Sequence, residues 1–167
     1  MLRYLLPLVL IATSTLAQVP ILLNGNTFDG AGGALLSGRV YHIISTGASC
    51  GITVPGGQTL TIQAGTVIKV GGCWSISGNV QAIGTANAPI FITSIHDDAR
   101  GGDTNNNGTM TAPQRGAWSA IDCLGDGSRF EHCHFLFGGR NASPNFACAA
   151  ACSPSGTAGS RPVAVRD

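Results

Sequence analysis

Between residues 52 and 95 short β-branched runs alternate with breaks rich in Gly, Pro and Asn. The runs fall at 52–54, 60–62, 67–70, 74–76, 80–82 and 90–92. Each has the length of a strand, and none is long enough for a helix. Corresponding positions recur along the chain: Ile52 to Trp74 is 22 residues, Leu60 to Val80 is 20, and Val67 to Ile90 is 23. A repeat of about 20–25 residues with three short strands in each is what a coiling parallel β-solenoid requires. One turn of such a coil cannot bury its inward side chains alone, so stacked turns share a core. The pattern predicts an all-β domain of about four coils.

The flanking segments extend this reading. Residues 18–37 look like an irregular lead-in, and 38–54 like a first rung in which Val40, His42 and Ile44 alternate. Residues 96–116 (HDDARGGDTNNNGTMTAPQRG) are polar and aperiodic, and predict one long loop projecting between the third and fourth coils. The strand pattern returns at 117–123 and 129–139. Beyond Gly139 the Ala-, Ser- and Pro-rich text predicts an irregular or disordered tail, residues 140–167. Such a tail caps a coil poorly, so the C-terminal edge is expected to drive self-association.

The first residues carry a different signal. Arg3, an apolar run of about 13 residues and small residues up to Ala17 have the layout of a secretory signal peptide over 1–17. The run is shorter than the roughly 20 residues a bilayer-spanning helix needs. The expected mature chain begins at Gln18, lies outside the cell or on its surface, and has no membrane span. Without Arg3 it carries 8 Lys+Arg against 8 Asp+Glu, with Lys69 its single lysine. No basic cluster exists, which excludes nucleic acid as an electrostatic partner. The 24 glycines suit a turn-dense β protein.

The segments VPGGQTLTIQAGTVIKV (54–70), SGNVQAIGTANAPIFITSIHDD (77–98), GGDTNNNG (101–108) and GAW (116–118) bear on identity. Together they make the chain resemble the right-handed parallel β-helix repeat family of secreted bacterial proteins. The resemblance covers about residues 38–139 and implies a right-handed coil and export. The family has no single activity, so the resemblance informs the fold and not the chemistry. The expected organisation is a signal peptide at 1–17, a β-helix domain at 18–139 and the tail beyond.

Candidate chemistry is concentrated in the polar loop. DTNNNG at 103–108 places side-chain oxygens of Asp103, Asn105 and Asn107 at the first, third and fifth positions of an EF-hand loop, with Gly108 at the sixth. Asp97 and Asp98 add carboxylates nearby. Gln114 stands at the twelfth position, where a closing bidentate Glu would stand, so the expected calcium affinity is weak, in the range of about 10⁻⁴–10⁻³ M. The alternative is a polar loop ordered by Asn and Gly turns alone.

Six cysteines, Cys50, Cys73, Cys123, Cys133, Cys148 and Cys152, are disulfide candidates in an exported chain. Cys50 and Cys73 lie one period apart, and Cys123 and Cys133 lie within one coil. Free core thiols are the alternative. His132 and His134 would share a strand face with no third ligand evident, which favours solvated histidines over zinc or copper. Trp74 and Trp118, two periods apart, read as stacked positions in the coil, either core or sugar platforms. No G-x-S-x-G, H-E-x-x-H or phosphate loop occurs, and no catalytic residue is assigned. The expected function is a non-catalytic scaffold or binding module that contacts carbohydrate or a surface protein. The alternative is a fragment of a polysaccharide-lyase-type enzyme. Calcium is the sole cofactor expected.

Overall fold

The computed structural model describes residues 19–23, 33–44, 53–72, 74–76, 78–118, 121–123, 127–138, 146–148 and 153–154. Among them the regular structure is all strand: β1 (Ile21–Leu23), β2 (Val40–Ile43), β3 (Thr53–Val54), β4 (Thr59–Ile62), β5 (Val67–Val70), β6 (Trp74–Ile76), β7 (Asn79–Ile83), β8 (Ile90–Ser94), β9 (Ile121–Cys123), β10 (Arg129–Glu131), β11 (Cys133–Phe135), β12 (Phe146–Cys148) and β13 (Ser153–Pro154). They form three sheets in the orders β1-β2-β5-β8-β11, β3-β6-β9-β12 and β4-β7-β10-β13. Every pairing is parallel. From β2 onward the chain visits the three sheets in turn, and each strand pairs with the strand three further on.

Register explains why these residues take these places. In the first sheet Ile21, Tyr41, Ile68, Ile92 and Phe135 are successive partners. In the third sheet Leu60 lies against Val80, and the series Leu35, Ile62, Ala82, Phe130 runs across four levels. Together with Val54 of β3, these side chains form one apolar cluster shared by the three sheets. Each large aliphatic member contributes roughly 1.5–3 kcal/mol by leaving water.

Several sequence expectations meet the register directly. The spacings of 22 and 20 are those observed, in the pairs Thr53–Ser75 and Leu60–Val80. The third is off by one: Val67 pairs with Phe91, a step of 24. A step of 23 would have put half-buried Val67 on the inward row of Ile90 and Ile92, reversing the faces of the strand. The core face of β2 is likewise Tyr41 and Ile43, not Val40 and His42. The register partner of Trp74 is Ile121 and not Trp118. Trp118 is fully buried at the turn before β9, and its indole Nε1 donates to the Leu136 carbonyl at 2.8 Å.

The segment 129–139 was expected as one strand, but it breaks at His132, whose φ is +47°. β10 and β11 consequently belong to different sheets, with a one-residue corner between them. A left-handed non-glycine residue costs roughly 1–2 kcal/mol, and here Gly84 and Ile90 donate backbone N–H groups to the Glu131 and His132 carbonyls. The lead-in and the tail are not wholly irregular. β1 and the Leu35 bridge extend the first and third sheets, and β12 and β13 extend the second and third.

Candidate cation site

The outward face of the first sheet carries a second row of register partners: Leu22, His42, Lys69 and Thr93. Strand alternation directs such residues to solvent, yet His42 is 7% exposed, and Lys69 and Thr93 are 0%. The polar loop after β8 covers them. It does not project, as the sequence suggested, but folds back over β8, β5 and β2. Thr93 Oγ1 donates to Asp97 Oδ2 at 2.7 Å. Lys69 Nζ donates to the Gly102 carbonyl at 2.6 Å, and His42 Nε2 meets Thr104 Oγ1 at 2.7 Å. Each outward polar side chain therefore holds one point of the loop.

The neighbouring row, Val40, Val67, Phe91 and His134, completes the attachment. The Arg100 guanidinium lies 4.6 Å from the Phe91 ring centroid, and His134 stacks on Phe91 at 5.1 Å. Gly101 approaches Val40 so closely that a Cβ there would sit 2.7 Å from Val40 Cγ2, and its φ of +75° also favours glycine.

Under this roof the electrostatics are unusual. Burial lowers the Lys69 pKa from its ordinary value, while Asp98, Asp97 and Asp103 oppose that shift by their negative charge. Burial, and then the Lys69 charge, lower the His42 pKa to about 4, so its imidazole is neutral at physiological pH.

The loop's far side holds the candidate ligands. Asp103 accepts the Asn107 N–H on Oδ1 at 3.2 Å and the Gly108 N–H on Oδ2 at 2.8 Å. These bonds close a tight turn through Asn106, with φ +54°, and Gly108, with φ +62°. Asn107 Nδ2 donates to Thr111 Oγ1 at 2.7 Å, and His96 Nδ1 lies 3.0 Å from Thr111 Oγ1 and 3.3 Å from Asn105 Nδ2. Both amides thus spend their N–H groups within the loop. Asp98 Oδ1, Asn105 Oδ1 and Asn107 Oδ1 are buried and have no hydrogen-bond partner. A buried oxygen without a donor costs roughly 1–3 kcal/mol, and three in one loop ask for an explanation such as an ion. All three are hard ligands of the kind calcium takes. The carboxylates of Asp97 and Asp103 lie in the same loop, as does Arg100, whose Nε is also buried without a partner. Gln114 is exposed.

The other candidates are not gathered into the loop. His132 and His134 are exposed. No group of three or more His, Cys, Asp or Glu suited to a metal occurs among the described residues. Cys133 is a free thiol, so the expected bond to Cys123 is not made. Its Sγ lies 3.4 Å from the Ala82 and Glu131 carbonyls, and burial pushes its pKa up to about 12, which leaves it unreactive. Cys50, Cys73, Cys152 and the proposed signal peptide fall outside the described residues. No helix among the described residues is long and apolar enough to cross a membrane. Sequence reasoning missed His42, Lys69, Thr93 and Thr104. The one available signal was the lone lysine inside the apolar run VIKV.

Comparison of the chain with protein families, curated proteins and solved structures finds no match.

Proposed function

We propose that the chain is an exported right-handed parallel β-helix module without catalytic activity. It serves as a rigid scaffold or binding surface for carbohydrate or another surface protein, with calcium ordering the loop at 97–108. The three-strand cycle of parallel pairings supports the fold reading, as do the family-like segments at 54–70 and 77–98. The observation that carries the calcium reading is the set of three buried, unpartnered oxygens on Asp98, Asn105 and Asn107. Calcium would supply those oxygens with a partner and neutralise the carboxylates. The buried Lys69 ammonium repels it, which keeps affinity in the weak range of about 10⁻⁴–10⁻³ M.

The non-catalytic reading draws on Lys69 as well. A lyase base must reach a substrate proton, whereas Lys69 is fully buried and engaged by Gly102. Incubation with polyuronides should release no product absorbing near 235 nm. Release of such product would replace the scaffold with the lyase reading. For calcium, a Kd of about 1 mM and about 5 mM ion stabilise the fold by roughly 1 kcal/mol. That raises the melting temperature by about 2–4 °C relative to chelator. Asp103→Ala should abolish the rise, and identical melting curves with and without calcium would remove the ion from the proposal.

A further inference from the structure

The register of the second sheet places two cysteines together that lie 25 positions apart in sequence. Cys148 of β12 is the partner of Cys123 of β9, and Cys123 is the partner of Ile76, which in turn partners Val54. Val54, at the head of this row of register partners, belongs to the shared apolar cluster. Neighbouring strands of a sheet are about 4.7–4.9 Å apart, inside the window of roughly 4.4–6.8 Å between Cα atoms that a disulfide spans. In-register partners on parallel strands also share a face. We propose that Cys123 and Cys148 form a disulfide that fastens the last strand of the second sheet to the one before it.

The local sequence makes such a fastening consequential. Around β12 the text NASPNFACAAAC offers Phe146 as its one large apolar side chain, so burial alone holds this strand weakly. The alternatives suggested by spacing fit less well, because Cys133 is a free thiol bonded to carbonyls. Oxidation needs an acceptor for two electrons, and a low-molecular-weight disulfide such as oxidised glutathione serves. One cysteine thiolate attacks it and expels a glutathione thiolate. The second cysteine thiolate then attacks the mixed disulfide, expelling the second glutathione and leaving the Cys123–Cys148 bond.

The test is peptide mapping of the full chain after equilibration with oxidised glutathione, alkylated without reduction. Trypsin separates Cys123 (peptide 116–129), Cys133 (130–140) and Cys148 with Cys152 (141–166). The expected result is a cross-link between 116–129 and 141–166 that survives Cys152→Ser and disappears in Cys148→Ser. Alkylated Cys123, a link from 116–129 to any other peptide, or loss of the link in Cys152→Ser would overturn the pairing. The mapping does not depend on calcium or on ligand, so it stands apart from the tests of the proposed function.

Discussion

The loop is held by single residues whose roles can be separated. His42 has a folded pKa near 4 against an ordinary 6.5. As pH falls below 6.5 the unfolded chain takes up a proton that the folded chain refuses, so stability declines until both are protonated below 4. At 1.36 kcal/mol per unit the loss approaches roughly 3 kcal/mol. Lys69, also lowered by burial, acts with the same sign at higher pH: stability grows as pH rises from its folded pKa toward 10.5. Urea unfolding at pH 7 and pH 5 should show a drop in the wild type that is largely absent in His42→Gln; an equal drop in both would assign the acid sensitivity to other groups. Two adjacent glycines make a second contrast. Gly101→Ala suffers both a positive φ and the Val40 contact, whereas Gly102→Ala, with φ +79°, meets open space. The second should cost about 1 kcal/mol and the first clearly more, which denaturation midpoints would rank.

At the scale of the element, the strands are too short to be stable alone and depend on partners above and below. Ile92 sits between Ile68 and Phe135 in the first sheet with no exposed area. Truncation to Ala should cost about 2–5 kcal/mol, because a cavity opens where both neighbours are held in register. Ile83, at the end of β7, is 37% exposed, and its truncation should cost much less. Similar losses at both positions would mean that the inward row is not the main source of cohesion. The one-residue difference between the expected and observed pairing of β5 and β8 shows why spacing alone is imprecise. Corners of variable length absorb single residues, and only the requirement that Ile68 meet Ile92 selects the register.

For the molecule as a whole, the outermost strands at one end of the sheets are β11, β12 and β13. A strand at the end of a sheet pairs with another chain wherever nothing covers its edge. Sedimentation of the chain from residue 18 at about 100 μM should show self-association. A clean monomer at that concentration would mean that the edges are covered. A Cys123–Cys148 bond would hold β12 in place and sharpen this edge, so reduction should alter the association.

The arrangement of strands was legible in the sequence because a period near 22 residues and two-residue alternation act locally and repeat. The runs at 67–70 and 74–76 are β5 and β6 as read, and DTNNNG at 103–108 does form a tight turn around Asp103. What sequence could not indicate is that His42, Lys69 and Thr93 lie under that loop. The observed register places them on the outward face, but whether an outward face meets water depends on a segment that returns from many positions away. His42 and Thr104 are 62 residues apart and meet at 2.7 Å. The corner at His132 was hidden for a similar reason: nothing in RFEHCHF marks a left-handed residue, and only pairing to two different sheets requires one. Local periodicity determined the strands; pairing register fixed their inward faces, and tertiary contact alone decided which outward residues became buried, because desolvation belongs to the pair of surfaces and not to either one.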